Sequence, residues 1–317
     1  MNTGGSHPSG SDVQPSIHQN NFRRRKNSNN NTTNKRKRKP RQRARKTNTP
    51  SHSAIFGDEC TPNTDPHELL IGMCNIQALP SSKTGKKNFD LSGFLDDYKF
   101  DHFGVVDTGR CWHKLKEEDR IRARFRVHFP SRSWRFCQAY NRNDPSATQC
   151  QLGGVLSLTL DKMVGHHLDS GRDPSELGRW SWQLFRGKAG AKIRIVTCYR
   201  PVPGSIDGSS VYAQHLHKFL SDRSGLDDEL PCPRQAFLDD LGAELDRWRL
   251  EGDQIVVMGD LNEFVLGRKL RKFFTDHGLR ELITERHGRG PATTKTNEKG
   301  EAICDDFARR RPLDRRQ

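Results

Sequence analysis

The sequence lacks any apolar run approaching the roughly 20 residues that a membrane helix needs, and residues 1–50 hold no apolar core of a secretory signal. A membrane-spanning or secreted class is therefore not expected. Internal repeats are absent. The eight cysteines (Cys60, Cys74, Cys111, Cys137, Cys150, Cys198, Cys232, Cys304) form no C-x-x-C pair, which removes the usual zinc-finger and dithiol motifs. Several lie inside apolar runs, as in GMCNI and IVTCYRP, where cysteine behaves as a small buried hydrophobe. A reduced, intracellular protein is the reading. Residues 1–50 nearly lack acid and aromatic groups: Asp12 and Phe22 are their only representatives.

The charge is correspondingly uneven. Of the 54 Lys and Arg residues, 13 fall in the first 50 positions, so residues 51–317 carry 41 bases against 38 acids. The high isoelectric point describes the N-terminal segment more than the body. That segment cannot bury enough apolar surface to offset chain entropy, and residues 1–66 are expected to be a disordered basic tail. Within it, RRRK and KRKRKPRQRARK have the composition of a nuclear-localisation or nucleic-acid patch. Its candidate phosphate-contacting residues are Arg23, Arg24, Arg25, Lys35, Arg36, Lys37, Arg38 and Lys39, and the expected location is the nucleus. A solubilising arm is the rival reading. Residues 309–317, RRRPLDRRQ within the closing ARRRPLDRRQ, form a second basic tail.

Apolar clusters begin near residue 67. ELLIGMCNI (68–76) and HFGVVD (102–107) read as buried strands, separated by an amphipathic helix over 89–101. Further strands are expected at 133–141, 153–160, 180–186 and 192–201. The last two read as a hairpin around the GKAGA turn, and WSWQLFR alternates as a half-buried strand does. Helices are expected at 210–222, at 233–252 with Phe237, Leu241, Leu245 and Trp248 on one face, and within 269–283. DQIVVMGD (253–260) is the last strand. The alternation points to an α/β body of about 240 residues with one core.

Polar residues collect at the strand ends. Asn75 ends the first strand, Asp107 the second, and Asp260 and Asn262 follow the last as GDLNE. A carboxylate at a strand end beside a tightly turning glycine suits magnesium, which takes one or two carboxylates and keeps waters or phosphate oxygens for the rest. An Asp next to an Asn offers a proton acceptor and a neutral donor together. Alone, Gly-Asp-Leu-Asn is an ordinary turn. Asn75 and Tyr199 alone are ordinary structural polar groups.

Five segments in order, CNIQALP (74–80), DHFGVVDTG (101–109), GGVLSLT (153–159), IRIVTCYRPV (193–202) and IVVMGDLNE (255–263), resemble the endonuclease/exonuclease/phosphatase superfamily. The likeness is to its apurinic-site and non-LTR retrotransposon endonucleases, and it spans roughly 69–308. It implies a four-layer α/β sandwich, two mixed β-sheets flanked by helices, with the domain over 67–308. It also implies a Mg²⁺-dependent (or Mn²⁺-dependent) phosphodiester hydrolase acting on nucleic acid, DNA ahead of RNA. By the same resemblance Asn75 and Asp107 serve the metal, Asp107 standing where the family usually has a longer glutamate. Gln77 takes a second asparagine position, Tyr199 sets the phosphate, Asp260 orients or deprotonates water, and Asn262 holds the phosphate. The family's closing Ser-Asp-His triplet does not occur in this chain, so the resemblance implies an incomplete domain whose last strands are missing. Asp306 and Asp314 are the two candidates for the family's neighbouring aspartate.

Two alternatives stay open: a catalytically inactive fragment that binds nucleic acid through its basic ends, and a phosphatase of lipid or inositol headgroups. His166, His167, His215 and His217 read as surface or loop residues rather than metal ligands, since i,i+2 partners do not share a helix face. His277 and His287 lack the context of a catalytic histidine. Trp180 and Trp182, on one strand face, could stack on bases, though core packing is the commoner use.

Overall fold

Ile71–Asn75 (β1) and His102–Val106 (β2) lie parallel, with Asn75 opposite Val106 and the helix Lys86–Tyr98 (α1) between them in the chain. The computed structural model describes residues 67–223 and 231–287, together with 62, 64 and 65. The basic segments at 1–50 and 309–317, and Asp306 and Asp314, lie outside the described residues. After β2 come Ile121–His128 (α2), Trp134–Ala139 (β3) and Val155–Leu160 (β4), which complete a mixed sheet of order β1-β2-β4-β3. All five residues of β2 are buried. It is paired on both edges and covered on both faces, which is why it reads as a continuous apolar run.

The second sheet has the order β5-β6-β7-β8. Its strands are His167–Arg172 (β5), Trp180–Arg186 (β6), Lys192–Tyr199 (β7) and Asp253–Asp260 (β8). β6 and β7 form the expected antiparallel hairpin, and β7 runs parallel to β8 with Tyr199 opposite Asp260. Val211–Asp222 (α3) and Pro233–Leu250 (α4) make that parallel crossover, followed by Arg268–Asp276 (α5) and Leu282–His287 (α6). In α4, Pro233 at the start has no amide to satisfy, and Phe237, Leu241, Leu245 and Trp248 are all fully buried on one face.

The sheets pack face to face with helices outside, giving four layers. Leu95 of α1 and Ile121 and Phe125 of α2 share a core with Phe103, Val105, Leu156 and Leu158. On the far side α4 and α5 cover Trp180, Val196 and Cys198. Between the sheets runs a polar seam, with Ser157 Oγ 2.9 Å from both Ser181 Oγ and Thr197 Oγ1. A Cβ on Gly104 would sit 2.8 Å from Thr197 Cγ2, so this close approach requires glycine. No helix among the described residues is long and apolar enough to cross a membrane.

Several expectations shift. The first helix covers 86–98 rather than 89–101, while the helix expected within 269–283 is α5, which ends shortly before Gly278, whose φ is +57°. β6 is buried at Trp180, Ser181, Gln183, Leu184 and Phe185, not half-buried, because it is an inner strand covered on both faces. Trp180 packs against Phe237, and Trp182 lies against Trp248 with the Arg194 guanidinium 4.0 Å from its ring. Both tryptophans are therefore the floor beneath α4, and neither is a base-stacking platform. His215 is buried in α3, while His217 two residues on is exposed. His167 opens β5 against Phe185.

Candidate functional site

Four strands, parallel in the pairs β1–β2 and β7–β8, end in or run into polar residues, which brings distant segments together. β1 delivers Asn75, β2 runs into Asp107, β7 ends at Tyr199, and β8 ends at Asp260. Asn75 Nδ2 donates to Asp260 Oδ2 at 2.8 Å, which ties the first sheet to the second across 185 residues of sequence. The Asn75 side-chain oxygen Oδ1 accepts the Gln77 N–H at 3.0 Å, and the other Asp260 oxygen accepts the Asn262 N–H at 3.1 Å. Asp260 is thus held at both oxygens in a tight turn in which Asn262 takes φ of +48°. The Asn262 side chain donates to the Arg200 carbonyl at 2.7 Å.

Asp107 also has positive φ, +54°, a conformation that aspartate tolerates better than most residues. Its Oδ1 accepts the Gly153 N–H at 3.0 Å. Gly153 and Gly154 both have φ of +83°, and a Cβ on Gly153 would lie 2.9 Å from Val211 Cγ2. The double glycine before β4 thereby aims an amide at Asp107. Burial pushes the Asp107 carboxyl above its ordinary value; the Gly153 amide opposes this, the neighbouring Asp260 carboxylate reinforces it, and Lys87 opposes it. Tyr199 is pushed up to about 12 by burial and then by Asp107 and Asp260, with the Asn262 side chain opposing. It is a phenol, and hence a hydrogen-bond donor, throughout the neutral range.

All five residues assigned a role at the strand ends, Asn75, Asp107, Tyr199, Asp260 and Asn262, meet in one place. Gln77 is exposed beside them with φ of +48°. His277 is elsewhere, its Nδ1 2.9 Å from Asp246 on α4. Among the described residues no group of three or more His, Cys, Asp or Glu side chains could hold a metal. The donors present are two carboxylates, Asp107 and Asp260, with hard oxygen atoms only. That set fits a hard divalent cation completed by water and phosphate, and does not fit a thiolate or imidazole metal.

The surrounding supports were not evident from sequence. Lys87 Nζ, from α1, donates to the Ile76, Gln77 and Ala78 carbonyls at 2.9, 2.9 and 3.1 Å, fixing the loop after β1. Beneath the Asp260–Asn262 turn, Glu263 pairs with the buried Arg200 and with Arg234 at 2.8 Å. Arg234 also donates to the Asn262 carbonyl at 3.0 Å and the Pro201 carbonyl at 2.6 Å. Burial raises the Glu263 carboxyl but the two guanidiniums outweigh it, so its net shift is downward. Arg234 thus sets the height of Asn262 without reaching the cluster itself.

No family model matches the chain, and no curated protein does. Among solved structures, similarity is found to an AP endonuclease from Archaeoglobus fulgidus, at 15% identity, covering 76% of this chain and 82% of that one with a TM-score of 0.46. It is found to the human Nocturnin catalytic domain, at 11% identity over 72% and 78% with a TM-score of 0.43. It is found also to an endonuclease/exonuclease/phosphatase family protein from Leptotrichia buccalis, at 11% identity over 73% and 80% with a TM-score of 0.38.

Proposed function

We propose that the chain is a phosphoesterase of the endonuclease/exonuclease/phosphatase superfamily, a metal-assisted phosphodiester hydrolase acting on DNA in the manner of retroelement endonucleases. The observation that carries the reading is the convergence of Asn75, Asp107, Tyr199, Asp260 and Asn262 from four strand ends on one polar cluster. In this reading Asp107, with Asn75 beside it, would hold Mg²⁺ or Mn²⁺, which when bound would offset charge on the phosphate. The Asp260 carboxylate takes the proton of the attacking water as its oxygen forms the new bond to phosphorus and the bond to the leaving oxygen breaks. Asn262 and the Tyr199 hydroxyl, fixed as neutral donors, orient the phosphate oxygens so that attack is in line. Asn75 keeps Asp260 turned toward the phosphate. Asp107 is shorter than the glutamate usual at its position, which favours a water between carboxylate and ion.

The basic composition of residues 23–46 supports a nucleic-acid substrate and a nuclear location, because the body is nearly neutral and offers no general positive field. The purified 317-residue chain should nick supercoiled or abasic-site DNA with magnesium and stop on addition of chelator. Hydrolysis of inositol or lipid phosphates instead, with DNA untouched, would shift the reading to a phosphatase. Absence of any hydrolysis, with DNA still bound, would make the chain a binding module.

A further inference from the structure

The near-neutral body hides one strongly basic stretch: residues 110–142 carry 10 Lys and Arg against 3 acids. The structure gathers part of this charge around a cleft of about 470 Å³ between α2 and the edge strand β3. Trp134 and Phe136, half-buried on alternate positions of β3, form its floor and pack on Phe125. Arg122 on α2 lies with its guanidinium 6.0 Å from the Trp134 ring. Arg126, one turn along the same exposed face of α2, extends the rim, whereas Arg135 stands on the alternate face of β3, toward His167 of the other sheet. Arg132 forms a wall, held by Asp96 and by Asp161 at 2.8 Å, so it shapes the cleft rather than adding free charge. Arg122 and Arg126 have no ion-pair partner among the described residues.

This cleft is not the polar cluster. Arg135 pairs through Thr159 with His102, the first residue of β2, whereas Asp107 follows the last. The two therefore lie at opposite ends of one sheet. Uncommitted guanidiniums beside half-exposed aromatic rings suit a ligand that is at once a chain of phosphates and a set of flat apolar faces. In a duplex those faces are stacked away; in a single strand they are available. We infer that the α2–β3 cleft is a second nucleic-acid site that takes a single strand, its bases stacking on Trp134 and its phosphates on Arg122 and Arg126. The binding stands on charge and stacking; only its use in tethering substrate for the polar cluster at the far end of the sheet rests on the hydrolase reading.

The test uses the full chain in chelator, so that no cleavage enters and failure of the hydrolase reading leaves the result interpretable. Affinity for an oligothymidylate of about twenty nucleotides is measured against salt for wild type and variants. Arg122→Ala/Arg126→Ala is expected to reduce the slope of log affinity against log salt by about 1.4, that is about 0.7 for each lost phosphate contact. Trp134→Ala is expected to weaken binding about 5- to 100-fold while leaving affinity for a duplex of the same length unchanged. The charge-matched Arg271→Ala/Lys272→Ala on α5, in the opposite helix layer, should leave the oligothymidylate affinity higher than the cleft double variant does. Trp134 packs in the core, so thermal midpoints accompany each variant, and the arginine pair decides if Trp134→Ala fails to fold. An unchanged slope in the arginine pair, or equal losses for single strand and duplex in Trp134→Ala, overturns the proposal.

Discussion

Asp260→Asn is expected to lower metal-stimulated phosphodiester cleavage by about 10²- to 10⁴-fold, the range for removing a positioned general base, while leaving the thermal midpoint unchanged or slightly raised. Both halves of that expectation come from the same geometry. The Asp260 oxygens accept from Asn75 Nδ2 and from the Asn262 N–H, so an asparagine can keep one acceptor and much of the turn. What it cannot keep is the negative charge and the affinity for a proton from water. Two half-buried carboxylates sit together here, and Asp107 is pushed upward first by burial and then by Asp260, against the Gly153 amide. Removing the Asp260 charge relieves its share of that push in the metal-free protein. Turnover and calorimetry on the same preparation check the pair of outcomes. A variant that cleaves as wild type removes Asp260 from the chemistry, and a variant that unfolds makes its role structural.

The parts of this site that could be read from the chain are the ones carried by local sequence. GDLNE follows an apolar strand, Tyr199 lies in YRP, and Asn75 ends a buried run, so their positions at strand ends followed from alternation and turn residues. Lys87 and Arg234 act on those residues from other elements, and nothing in their own neighbourhoods marks them; Gly153 opens the GGVLSLT segment, but its amide's contact with Asp107, 46 residues away, is made only by the sheet. The same limit governs the fold. β5, HLDSGR, has one strongly apolar residue and is a strand because it pairs with β6. In α2, IRARFRVH, arginines at every second position mimic a strand. The helix is decided by Ile121 and Phe125 reaching one core and by Arg124 folding inward to the Asn88 side chain at 3.1 Å and the Ser81 carbonyl at 2.6 Å.

Stability should fall steeply below neutral pH, and two buried histidines set the window. His102 lies in the seam between the sheets, with Nδ1 3.0 Å from Thr159 Oγ1. The Thr159 hydroxyl itself donates to Gln183 Oε1 at 2.6 Å, so His102 Nδ1 must carry the proton and Nε2 is bare, buried and without a partner. Protonating Nε2 would place an unpaired charged N–H in the core. Burial accordingly holds His102 down at about 3, and burial, then the nearby Arg179, holds His215 at about 4. An unfolded chain protonates both near 6.5. Between those values the unfolded state binds about two more protons than the folded one, so the stabilisation is complete above 6.5 and is lost as pH falls. The slope is about 1.4 kcal/mol per pH unit for each histidine. Over two units that approaches about 5 kcal/mol, comparable with the whole stability of an ordinary domain. Asp173, whose carboxyl is shifted downward by its pairing with Arg179 against the opposing effect of burial, adds a further loss only below the ordinary carboxylate range. Urea unfolding at pH 7.5, 6.5, 5.5 and 4.5 should therefore show most of the decline well above the carboxylate range. His102→Phe, which removes the bare nitrogen and keeps a ring against Phe185, should about halve the slope. Equal stability at pH 7.5 and 5, or an unchanged slope in His102→Phe, would mean that these histidines reach water or a partner in the folded protein.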